Sequence, residues 1–100
     1  AMFNTRKVVV TPGLVELGSR EVEENRLLGK RIADVADVVL LIGNERTEPI
    51  LRALKESGFG GEIKRYDSLA ACEKDFVNTL KLGDTLLILN DLPDIYEDLK

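Results

Sequence analysis

Apolar side chains in this chain follow two rhythms, and the alternation between them predicts the architecture. Lys7-Val8-Val9-Val10-Thr11 is a β-branched run with the composition of a strand buried on both faces. It breaks at Pro12-Gly13, a turn signal, and the rest of the chain is arranged around it. From Ser19 to Ala36 the period lengthens: Val22, Leu28, Ile32 and Val35 recur at spacings near 3.6, which predicts a first helix. Ser19 is its expected N-cap, with Glu21, Glu23 and Glu24 in the first turns, where the helix dipole favours acids. Asn25 and Gly29 fall on the inward stripe, and Gly29 is read as allowing close approach of helix to sheet.

Asp37-Val38-Val39-Leu40-Leu41-Ile42-Gly43 is the clearest buried strand. The polar loop Asn44-Glu45-Arg46-Thr47 leads to a second helix over 48–57, with Thr47 as cap, Pro49 in the first turn and Ile50, Leu51 and Leu54 as its apolar face. Ser57-Gly58-Phe59 predicts a Schellman end. Glu62–Tyr66 alternates too much polarity for a central strand and is placed at a sheet edge. Asp67 or Ser68 caps a third helix running to about Leu80, with Leu69, Cys72, Phe76 and Leu80 on one face. After the Leu82-Gly83-Asp84 turn, Thr85–Asn90 reads as a second fully buried strand. The tail from Asp91 begins irregular and ends in a helical turn, with Tyr96 either an anchor or the lid of a pocket.

Strand and helix thus alternate three times before a last strand. Right-handed crossovers make this an α/β, three-layer Rossmann-like domain, with a mainly parallel sheet of about four strands and helices on both faces. Residues 1–100 read as a single domain, with no internal repeat or linker. Ala1 before Met2 reads as a tag scar, and the chain as a piece of something longer.

Composition narrows the function classes. The chain is 44% apolar and 32% charged with net charge −4, and its Lys and Arg are scattered among acids, which argues against a nucleic-acid surface. No apolar run approaches the roughly 20 residues of a membrane span, so no membrane partner is expected. One cysteine and no histidine leave no inventory for a zinc site or a Cys/His nucleophile pair, and a lone Cys72 fits a reducing cytoplasm. Cys72 itself sits at core spacing, as a small packing residue. The segment ending Gly29-Lys30 has Glu24 and Arg31 where a P-loop needs glycine and Ser or Thr, and Gly13 with Gly18 does not complete a dinucleotide fingerprint. Thr11 and Gly43 end the first two strands where a receiver-type phosphoacceptor wants carboxylates.

Three polar strand ends remain: Thr11-Pro12-Gly13, Asn44 to Thr47, and Asn90-Asp91. In a doubly wound sheet they fall along one rim, where such sheets bind ligands. With Asn25 they offer amides, carboxylates and the Arg46 guanidinium, a set suited to a zwitterionic or carboxylated ligand. On residue types alone, the simpler reading of the same positions is solvated loops and helix caps. Asn25, pointing inward, either braces the 11–18 loop or faces a ligand.

Val8 to Gly18, then Glu24-Asn25-x-x-x-Gly29-Lys30, Val39 to Gly43, and Leu80-x-x-Gly83-Asp84-Thr85-Leu86-Leu87 resemble the C-terminal domain of the Mur ligases. These are the ATP-dependent amide ligases of peptidoglycan peptide-stem synthesis, and the nearest branch is the one that adds D-alanyl-D-alanine to a UDP-muramoyl peptide. The resemblance spans nearly the whole chain. It implies a cytoplasmic three-domain enzyme for cell-wall synthesis whose central domain holds ATP, magnesium and the catalytic machinery. The C-terminal domain would close over that partner domain and present the incoming amino acid or dipeptide, without catalysing anything or binding a cofactor alone. Asn44, Arg46, Asn90, Asp91 and Asn25 are then the substrate-binding candidates. Many members carry Gly-Asp at the first strand end, where this chain has Thr11-Pro12-Gly13. The D-alanyl-D-alanine branch often has histidine where Asn25 stands, and Asn90-Asp91-Leu92-Pro93 replaces a common Gly-Ser. Other readings are a non-catalytic Rossmann-like binding module and a Mur-like or folylpolyglutamate-type ligase with another amine substrate.

Overall fold

β1 (Lys7–Thr11) lies inside the sheet, hydrogen-bonded to β2 (Val38–Ile42) on one side and β4 (Thr85–Ile88) on the other. The computed structural model describes residues 5–14 and 18–89. β3 (Glu62–Tyr66) completes a four-stranded sheet of order β3-β2-β1-β4, and every pairing is parallel. The α/β Rossmann-like architecture expected from the alternation of elements is therefore the one that forms, and β3 is at an edge as its polarity requires.

α1 (Glu21–Val35) and α2 (Glu48–Glu56) cover one face, while the short α3 (Leu69–Lys74) and α4 (Phe76–Thr79) cover the other. Alternate strand residues point to opposite faces, so one run of valines supplies two cores. Val9, Val39 and Leu41 pack with Ile32, Ile50 and Leu54. Val8, Val10, Val38 and Leu40 pack with Cys72, joined by Phe76 and Leu80. The Schellman end of α2 forms as expected: Gly58 has φ 73°, its N–H donates to Lys55 O at 3.1 Å, and Phe59 N–H donates to Leu54 O at 3.0 Å. Phe59 then folds onto the α1–α2 core.

Several local expectations are corrected. Val22 and Val35 are exposed, and the inward stripe of α1 is Asn25, Gly29 and Ile32. The two valines sit on the shoulders of that stripe, roughly 50–90° off its centre at about 100° per residue. Gly29 meets α2 and not the sheet: a Cβ there would lie 2.8 Å from both Ala53 Cβ and Ile50 O. Arg20, not Ser19, precedes α1, with Ser19 inside a 3-10 turn over Gly18–Arg20. Thr47 stands at the N-cap of α2, but its hydroxyl donates back to Gly43 O at 2.7 Å and does not cap the helix.

The third helix is two pieces joined at Asp75, with Ser68 as cap: its Oγ accepts from Ala71 N–H at 3.1 Å. Leu69 is exposed. β4 is not fully buried either, with Leu87 39% and Ile88 52% exposed. An edge strand has a neighbour on one side only, and apolar composition alone does not distinguish it from a central one.

Candidate functional site

From β1 the chain moves outward to β2 and β3, then crosses back over β1 to reach β4. Strand order therefore reverses between β1 and β4. A crevice at the carboxyl ends of strands, at such a reversal, is where open α/β sheets hold ligands. Of the five substrate-binding candidates, Asn44 and Arg46 fall in the β2–α2 loop at this end and Asn25 in α1; Asn90 and Asp91, like Tyr96, lie outside the described residues.

At the end of β1, Thr11 is buried and its Oγ1 accepts from Gly13 N–H at 3.0 Å. Gly13 adopts φ 85°, in the left-handed region that a side chain resists. Behind it, Asn25 is fully buried. Its Oδ1 accepts from Leu14 N–H at 2.7 Å, and its Nδ2 donates to Leu14 O at 3.1 Å and to Glu21 O at 3.0 Å. Both polar ends of the carboxamide are thus engaged by backbone. Of the two roles open to Asn25, the geometry observed is the brace.

The β2–α2 loop is built by two side chains, neither of them at the rim's tip. Thr47 Oγ1 closes the loop on Gly43 O. Arg65, on edge strand β3, donates from one terminal nitrogen to Asn44 O at 2.8 Å and from the other to Glu48 Oε2 at 3.3 Å. Asn44, Glu45 and Arg46 line the turn so held, and all three are exposed.

Arg46 does not project straight away from β2. Its stem leans onto the β1 loop: a Cβ built on Gly13 would lie 3.0 Å from Arg46 Cγ and 3.4 Å from its Cδ, with Asn25 Oδ1 at 3.1 Å. Gly13, Asn25 and Arg46 therefore converge, bringing a cation from the second strand end to the first. Among the described residues no carboxylate or hydrogen-bond acceptor engages the Arg46 guanidinium, and none engages the Asn44 carboxamide. A guanidinium with its planar fork open is suited to a carboxylate or another oxyanion.

The other polar clusters lie elsewhere. Arg6 binds Asp84 through two nitrogens, at 3.2 and 2.7 Å, and also Thr79 O at 2.6 Å. This group sits at the amino ends of β1 and β4, so the Gly83-Asp84 pair is remote from the rim. Cys72 is buried in the α3-side core, and burial pushes its thiol up. Among the described residues, no three His, Cys, Asp or Glu side chains group as metal ligands, and no helix is long and apolar enough to cross a membrane.

The convergence of Arg46 on Gly13 and the fork of Arg65 are not readable from the residues alone. The only hint of the first is a glycine directly after proline at a strand end, and the second has no local signal. Comparison of the chain with protein-family models, curated proteins and solved structures returned no match.

Proposed function

We propose that the chain is the substrate-presenting C-terminal domain of an ATP-dependent amide ligase of the Mur type, of the UDP-N-acetylmuramoyl-tripeptide–D-alanyl-D-alanine ligase branch. The observation supporting this reading is the Arg46 stem lying on Gly13, which carries a cation, unengaged among the described residues, to the strand-order reversal. Arg46 pairs with the carboxylate of the incoming amine substrate, Asn44 with Asn90 and Asp91 orients it, and Asn25 keeps the β1 loop in place beneath. The sequence carries no P-loop motif, and ATP and magnesium are not assigned to this domain. In this reading they belong to the central domain, where ATP activates the carboxyl substrate. The C-terminal domain presents the amine and excludes water as it closes.

Replacing Arg46 with alanine in the full-length enzyme tests the assignment. Removing a charge-assisted hydrogen bond to the bound substrate raises KM for the amine by about tenfold to a hundredfold, with kcat little changed. An unchanged KM removes Arg46 from the site. Assaying glutamate beside D-alanyl-D-alanine separates a folylpolyglutamate-type enzyme from the muramoyl branch. A P-loop and hinge encoded immediately upstream of Met2 would support the ligase over a non-catalytic Rossmann-like module, and an unrelated domain there would count against it.

A further inference from the structure

We infer that Arg65 is a positioning residue for Arg46, an inference that rests on the reading of Arg46 as the residue that meets the substrate carboxylate. Arg65 lies opposite Leu41 in the β2–β3 register, on the face covered by α2 and two positions before the turn at Gly43. From there its guanidinium spans two points. One terminal nitrogen holds the Asn44 carbonyl at 2.8 Å, and the other holds Glu48 in the first turn of α2 at 3.3 Å. Glu48 is also paired with Arg52 at 3.5 Å, which ties the carboxylate to its own helix. Thr47 Oγ1 on Gly43 O closes the same turn from inside.

The turn from Asn44 to Thr47 is thereby fixed at both ends, and Arg46 is its third residue. With the turn fixed, the Arg46 stem lies across Gly13. Without the fork, the turn gains freedom to swing from β1 and take the guanidinium with it. Only a planar group with two separated donors reaches both points at once; lysine reaches one. Arg65 sits on the edge strand, away from the β1–β4 crevice, so its action on a ligand passes through Arg46.

The experiment uses the full-length enzyme with D-alanyl-D-alanine as amine substrate, comparing Arg65→Met, Arg65→Lys, Arg46→Ala and the Arg46→Ala/Arg65→Met double variant. Arg65→Met keeps the apolar stem and loses both donors. It is expected to raise KM about threefold to tenfold with kcat within about twofold, and Arg65→Lys to recover part of that loss. In the double variant KM matches Arg46→Ala alone, because a residue acting through another adds nothing once the other is gone. An Arg65→Met enzyme with unchanged KM overturns the inference, whether or not its Tm falls. So does a double variant in which the two effects multiply. Arg46→Ala without effect on KM overturns the parent reading and Arg65's role together, whereas the two preceding outcomes leave Arg46 in place.

Discussion

Asn25 holds Leu14 by both ends of its carboxamide, accepting from the Leu14 N–H and donating to the Leu14 carbonyl as a neighbouring strand would. The carboxamide nitrogen also reaches Glu21 O, so one buried side chain joins the β1 loop to the first turn of α1. Replacing Asn25 with alanine leaves a buried N–H and a buried carbonyl unpaired at Leu14. The expected cost is about 2–3 kcal/mol of unfolding free energy, measured as a fall in denaturant midpoint at unchanged m-value. Asn25→Asp costs more, because it removes the donor and buries a charge. A loss below about half a kcal/mol for either variant would mean that water or a rearranged loop replaces the brace.

Gly13 is the position through which brace and rim communicate. Its φ of 85° already disfavours a side chain, and a Cβ would meet Arg46 Cγ and Asn25 Oδ1 at 3.0 and 3.1 Å. Gly13→Ala is expected to cost about 1–2 kcal/mol from backbone strain. It should also move the Arg46 stem, visible as a shift of the Arg46 Nε–Hε signal in a ¹⁵N–¹H spectrum of the isolated chain. An unmoved signal would mean that the stem does not rest on this loop in solution.

The frame of the fold was legible where the determinant is local. The valine and leucine runs announce β1 and β2, the polarity of β3 announces an edge, and Ser57-Gly58-Phe59 spells out its own helix end. Legibility stopped where the determinant is a partner distant in sequence. Leu86-Leu87-Ile88 has the composition of a central strand, yet among the described residues it pairs with β1 alone, and Leu87 and Ile88 are exposed. Apolar spacing continues from Leu69 through Leu80, but the helix breaks at Asp75, whose carboxylate is held by Tyr66 from β3. At the rim, the residue types at Asn44 and Arg46 were visible. The grip of Arg65 on a carbonyl 21 residues away was not.

Gly29 permits a close approach of α1 to α2, and not to the sheet. Helix propensity alone makes Gly29→Ala stabilising by about 1 kcal/mol. Here the new methyl would lie 2.8 Å from Ala53 Cβ and from the Ile50 carbonyl, 3.0 Å from Ile50 Cα, and two helices cannot part without opening the core beneath them. Overpacking of this kind costs about 1–3 kcal/mol, so the net effect is destabilising. Adding Ala53→Gly removes one of the clashing atoms but not the carbonyl, and should recover only part of the loss in thermal denaturation. Full recovery would show that Ala53 is the sole obstacle; a stabilised Gly29→Ala would show that the helices do not approach this closely.

Acid and alkali should act on this fold through different groups. The Tyr66 hydroxyl donates to Asp75 Oδ2 at 2.5 Å, and Asn78 donates to Oδ1 at 2.9 Å. Tyr66 foremost, then Asn78, holds the Asp75 carboxyl below its usual range, and Arg6, then the Lys81 N–H, does the same for Asp84. Burial, reinforced by the bond to Asp75, pushes the Tyr66 phenol up. A depressed carboxyl contributes stability above its unfolded pKa, near 3.8, and that contribution is lost as pH falls through the folded value. A raised phenol contributes below its unfolded pKa, near 10.0, and is lost as pH rises through the folded value. Tm should therefore be level between these limits and fall beyond each. Asp84→Asn removes part of the acid fall and leaves the alkaline one. Tyr66→Phe removes the phenol and also the strongest support of Asp75, so it should flatten both limbs. A Tyr66→Phe protein that keeps the full alkaline fall would assign that limb to lysines in place of the Tyr66–Asp75 pair.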